Sequence, residues 1–144
     1  MSGDGIRTVG EIGLDAALRL IDRVRDEAAR AGLAVAVAVC DRGGNPVASA
    51  RMDCAALGAM ALAVDKAYTA VLWGVATGEF MASTQPGGDD WGFNTTTGGR
   101  VVVYAGGLPI ASGGGLVGGL GVSGGTAEQD EACARAALTA EGLA

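Results

Sequence analysis

A chain of 144 residues with 49% hydrophobic and 18% charged side chains is long and apolar enough to bury one good core, which excludes a disordered chain. Its net charge of −6, with no lysine or arginine cluster to offset it, repels phosphate backbones and anionic lipid, so neither nucleic acid nor a membrane surface is an expected partner. No window approaches about 18 consecutive apolar residues, the N-terminus lacks the basic-then-apolar order of a signal peptide, and the expected location is cytoplasmic.

Residues 1–10 read as a loose leader to one domain spanning 1–144. Over residues 11–31, Leu14, Leu18, Ile21, Val24 and Ala28 recur at helical spacing, with Arg19, Arg23, Asp26 and Arg30 on the opposite face. Gly32 is placed to end that helix. Residues 33–41 form a strand with Val35, Val37 and Val39 on one side and Ala34, Ala36, Ala38 and Cys40 on the other. Both sides are apolar, so the strand is expected to be central and covered on both faces. A turn at 42–45 leads into a returning strand over 46–52.

Residues 57–72 predict a second helix, with Leu57, Ala61, Val64, Tyr68 and Leu72 in one stripe. So apolar a helix is buried, within the monomer or against a partner chain. A short helical turn is expected at 78–82, then a polar, irregular stretch over 85–99. Three strands follow, at 100–105, 108–112 and 116–122. Thr126 and Gln129 have the spacing of a capping box, opening a last helix over 127–141. This order predicts an α+β fold, a central antiparallel sheet of about five strands with helices packed against it.

Cys40, Cys54 and Cys133 are scattered, odd in number and lack CxxC spacing, so inert thiols are expected, with no disulfide framework and no metal site. Histidine is absent, which removes the usual base near neutral pH and the usual metal and haem ligand.

Lys66 is the single lysine beside nine arginines, and it lies on an otherwise apolar helix. Partly desolvated, it would have a lowered pKa, suiting a base, an imine former or an anion anchor. Equally, it is a lysine snorkelling to solvent or pairing with Asp65 or Asp53. Thr69 is its helical neighbour and Tyr68 falls on the apolar stripe. The candidate catalytic set is Lys66, Asp53, Tyr68 and Thr69. The candidate ligand-binding set is Arg51, Trp91 and Phe93 with the turn Ser123, Gly124, Gly125 and Thr126, whose amides open a capped helix and favour an anion. The glycine run from 113 to 125 imitates a dinucleotide fingerprint only loosely; close packing and tight turns explain most of it.

The motifs Leu14-Asp-Ala-Ala-Leu18, Val35-Ala-Val-Ala-Val-Cys-Asp41-Arg-Gly-Gly44, Arg51-Met-Asp53, Asp65-Lys66-Ala-Tyr68-Thr69-Ala70, Gly106-Gly-Leu-Pro-Ile110 and Gly121-Val-Ser-Gly-Gly-Thr-Ala-Glu-Gln-Asp-Glu131, in this order, resemble the GlcG/HbpS family, which includes the C-terminal domain of PduO-type proteins. The resemblance implies a profilin-like domain that assembles into homo-oligomers, and for some relatives a haem or corrinoid-related ligand. Because this chain has no histidine, haem is disfavoured and no cofactor is expected. Trp91 and Phe93 fall outside the family pattern. Three functions follow: a homo-oligomer holding a small anionic organic ligand near Lys66 and the 123–126 turn; a cofactor-independent isomerase, cyclase or lyase using Lys66; or a structural or regulatory oligomer.

Overall fold

The computed structural model describes residues 3–144. Among these residues the elements are α1 (Leu14–Arg30), β1 (Ala36–Cys40), β2 (Pro46–Arg51), α2 (Ala59–Trp73), β3 (Gly107–Ser112), β4 (Gly115–Ser123) and α3 (Ala127–Glu141). The strands form one antiparallel sheet in the order β2-β1-β4-β3. Residues 3–10 carry no helix or strand, and the first two residues of the expected leader lie outside the described residues.

β1 is buried along its whole length, as its two apolar faces require. Val35, Val37 and Val39 point with Leu120 and Val122 into a core closed by Leu20, Ile21 and Val24 of α1 and Cys133, Ala134, Ala137 and Leu138 of α3. Ala36 and Ala38 point the other way, onto Ala59 and Ala63 of α2. The sheet is therefore sandwiched between an α1–α3 layer and α2.

Glycines decide how near α2 comes. A Cβ at Gly121 would lie 2.0 Å from the Ala63 carbonyl oxygen, one at Gly119 2.3 Å from that of Ala67, and one at Gly107 2.4 Å from that of Lys66. The helix backbone thus rests on β3 and β4 with no side chain between. Close packing is the role these glycines of the run perform.

That contact sets which way α2 faces. Its buried residues are Ala59, Ala63, Lys66, Ala67, Thr69, Ala70 and Val71, the small ones apart from Lys66. The larger stripe, on a helix expected to be buried within the monomer or against a partner chain, is turned outward in the single chain: Leu57, just before α2, is 82% exposed and Leu72 40%. Ala61 is exposed, Val64 and Tyr68 half-buried.

The sheet has four strands, not about five, because residues 100–105 form no strand. Two of their main-chain groups are taken by Thr69 of α2. The Val102 amide donates to Thr69 Oγ1 at 3.0 Å, and the Arg100 carbonyl oxygen lies 3.3 Å from the same hydroxyl. A segment bonded to a helix side chain has no free ladder to offer a neighbouring strand. At the start of α3 the expected capping box is present, with Gln129 N donating to Thr126 Oγ1 at 3.2 Å and Thr126 N to Gln129 Oε1 at 2.8 Å. Among the described residues no helix is long and apolar enough to cross a membrane.

Candidate functional site

Lys66 points from α2 into the protein and is 1% exposed. Its Nζ donates to the Val122 carbonyl at 2.9 Å and to Asp130 Oδ2 at 3.0 Å, and lies 5.3 Å from the centre of the Tyr104 ring. Gly106 closes the space: a Cβ there would stand 2.4 Å from Nζ. Burial pulls the ammonium pKa down, and the Asp130 charge pulls it part of the way back. Burial, and then the same carboxylate, push the Tyr104 phenol up.

Lys66 does meet the 123–126 turn, through a residue that the sequence reading did not include. Asp130 accepts from Lys66 on one oxygen and from the Gly125 amide, at 2.8 Å, on the other. The place expected to hold a ligand anion is thus filled by the protein's own carboxylate. Thr126 is engaged in the capping box, and Ser123 is buried. One signal for Asp130 exists in the sequence: it shares a helical face with Cys133, Ala134 and Ala137, so an acid there must point inward.

The other candidates lie apart. Thr69 is buried and bonds to the 100–102 segment and to the Asp65 carbonyl, at 2.8 Å. The Tyr68 ring lies under the Arg100 guanidinium at 3.7 Å, with Gly44 packed close on it, and Arg100 also donates to Asp65 at 2.9 Å. Phe93 stacks edge-on against Trp73 at 5.1 Å and packs on Phe80 at 5.0 Å, whereas Trp91 is 66% exposed. None of these forms one site with Lys66.

Arg51 and Asp53 lie instead on an open groove of about 520 Å³ between α1 and the edge strand β2, lined by Arg25, Asp26, Ala29, Ala50, Arg51, Met52 and Asp53. The groove exists because β2 is the sheet's edge, so nothing pairs with its outer side next to α1. Met52 packs partly on the main core, and its amide donates to the Val35 carbonyl at 2.9 Å, which fixes its main chain. Arg25 pairs with Asp22 at 3.0 Å on the surface, and Arg51 makes no ion pair among the described residues. The thiols divide: Cys40 and Cys133 are buried, and burial pushes Cys40 up to about 12, but Cys54 is exposed beside the groove strand with a φ of 67°.

An antiparallel sheet between an α1–α3 layer and α2 is an α+β domain of the profilin-like kind. The family model described as haem degrading protein HbpS-like matches residues 12–139, and the chain belongs to that family. It is 37% identical over 130 residues to an uncharacterised 15.0 kDa protein from the dhaT-dhaS intergenic region of Citrobacter freundii, covering 90% of this chain and 92% of that one. The structure of Klebsiella pneumoniae protein ORFY superposes with a TM-score of 0.92 at 35% identity, covering 94% and 93% of the two chains. A solved PduOC–haem complex superposes with a TM-score of 0.89 at 33% identity, covering 93% and 97%.

These relatives correct one expectation. No cofactor was expected, with haem disfavoured for want of histidine; yet a relative this similar along almost its whole length is a haem complex. A missing imidazole is therefore a poor argument against haem, because sulfur and phenolate also ligate its iron. The residues of the groove match such a group only in part: Arg25 and Arg51 suit carboxylates, but Asp26 and Asp53 share the lining and its apolar wall is small, with Ala29 and Ala50 on it and Met52 packed partly on the core. Among the described residues no group of three or more His, Cys, Asp or Glu side chains could hold a bare metal ion.

Proposed function

We propose that the chain is a ligand-binding protein whose ligand is of the haem class, held in the groove between α1 and β2, and that it works as a homo-oligomer. The observation that supports this most is the chain's likeness, along almost its whole length, to a haem-complexed relative, with the two guanidiniums of the groove as anchors for the ligand's carboxylates. Asp26 and Asp53 also line it, so like-charge repulsion confines the ligand's carboxylates to Arg25 and Arg51. When bound, haem would supply a redox-active iron. The protein's part is to orient the ligand and screen one face of it from water.

The outward face of α2 supports self-association. Asp65 and Lys66 are its only charged residues, and both are engaged within the chain, with Arg100 and Asp130. In a molecule of net charge −6 this is a face that two copies can bring together without repulsion, and it presents Leu57, Leu72 and Trp73.

A proton-transfer enzyme centred on Lys66 has less support. Its ammonium protons go to Val122 and Asp130, and Gly106 closes the remaining approach. The deciding test is titration of the purified full chain with hemin, followed by absorbance and native mass spectrometry. A saturable Soret shift with a defined haem-to-chain ratio is expected; a spectrum that stays that of free hemin, in both oxidation states, sinks the proposal.

A further inference from the structure

We propose that the chain has a second small-molecule site, at the edge of the sheet opposite the α1–β2 groove, and that it takes a primary ammonium ion carrying a short aliphatic body. The site is a pocket of about 260 Å³ between β3, α3 and the segment that leaves α2, and it stands independently of the haem-class reading.

β3 is the other edge strand of the sheet. The Gly107 amide donates to Thr77 Oγ1 at 2.9 Å and the Ala111 amide to the Leu143 carbonyl at 3.1 Å, so these positions turn their main-chain groups away from β4. Pro109, between them, has no N–H, and by strand alternation its carbonyl faces the same way. This edge therefore offers no donor to another strand, but keeps an acceptor in the pocket wall.

α2 ends at the same pocket. The Gly32 and Leu33 amides close α1 on the Ala29 and Ala28 carbonyls, and those of Gly142 and Leu143 close α3 on Thr139 and Leu138. Among the described residues α2 has no such main-chain bond at its cap Gly74 and no basic residue in its last turn. The negative end of its dipole thus stands open where Gly74 and Val75 line the pocket. Glu79 adds a carboxylate that makes no ion pair among the described residues. All of these groups accept, and a donating cation satisfies them together. Arg135 also lines the pocket, but its Nη2 donates to Glu131 at 2.6 Å, which offsets its charge.

The rest of the wall decides against a bare ion. Val75, Leu108, Pro109 and Leu138 present apolar surface, so the cation carries hydrocarbon, and the small volume limits that to a few carbons. A free amine and an aliphatic amino acid share this chemistry; only the second has a carboxylate for the remaining nitrogens of Arg135.

The test is titration of the 15N-labelled full chain with isopentylamine, leucine and isovalerate, followed by amide chemical shifts. Isopentylamine should shift the Val75, Ala76, Glu79 and Leu108 amides saturably, and isovalerate should not. Leucine binding more tightly than isopentylamine assigns the amino acid as the source, and otherwise the amine is assigned. Glu79→Gln, at an exposed position, should keep the fold and weaken isopentylamine about tenfold. Hemin should bind equally well with and without the amine, because the two sites lie on opposite edges of the sheet. Isovalerate that binds as tightly as the amine, an absence of saturable shifts at these amides, or a Glu79→Gln variant that binds like the wild type overturns the proposal. None of these results bears on the groove, which the hemin titration tests separately.

Discussion

Lys66 and Asp130 are 1% and 3% exposed at their side chains, so each charge depends on the other. Burying one ion without its partner costs several kcal/mol, and an apolar pair of like volume is often neutral. Asp130→Ala or Lys66→Ala should therefore lose about 3 to 5 kcal/mol in urea unfolding. Lys66→Met with Asp130→Leu should recover most of that loss; if the double variant is as unstable as either single one, the pair is not what holds α2, β4 and α3 together. Asp41 is a second residue whose charge matters. Its carboxyl sits below the ordinary range, chiefly because the Asn45 amide donates to it, with the Asn45 side chain and the Gly43 amide adding to this against the opposing effect of burial. A depressed acid stabilises the fold above its unfolded pKa and loses that contribution as pH falls through the folded one. The wild type should then lose stability below about pH 4, and Asp41→Ala should lose about 1 kcal/mol at pH 7 and show a flatter acid limb. Parallel acid limbs in the two proteins would rule this out.

α2 and β4 make the contact that organises the elements, and glycine is the reason they can. Gly121→Ala puts a methyl group 2.0 Å from the Ala63 carbonyl, so the helix must move. Gly114 has φ +80° but open space around it, so Gly114→Ala meets only backbone strain. The first should cost about 3 kcal/mol or more and the second about 1 to 2, read as a lower urea midpoint at unchanged slope. Equal losses would mean that the helix–sheet approach is not backbone-limited. The elements that could be read from sequence were those with local causes. The last helix has its own capping box, and β1 has two apolar sides. The 100–105 strand could not be judged this way, because the group that takes its amide, Thr69, belongs to another element.

For the whole molecule, charge and exposed apolar surface point the same way. The chain carries a net −6, and the α2 face, the one proposed for self-association, has its two charged residues paired within the chain. Leu72→Asp adds a charge at a 40% exposed site and should shift the protein to a smaller species in sedimentation velocity, with little change in the fold. An unchanged sedimentation coefficient would place self-association elsewhere. The sequence alone identified α2 as too apolar for an ordinary surface helix, but not which side faces out, since helical spacing yields a large-residue stripe and a small-residue stripe at once.

From the sequence by itself came the α+β class, the family, the helix ends with local caps, and the singularity of Lys66, all properties of neighbouring residues or of composition. Only the tertiary structure decided what Lys66 does, because its partner Asp130 lies 64 positions away. It also separated Arg51 and Asp53 from Lys66 and set them with Met52 on the edge-strand groove. The physical reason is common to these outcomes. A buried charge, a helix–sheet approach and an open groove are each made by elements distant in the chain, and the chemistry of a side chain is settled by what folding brings within a few ångströms of it.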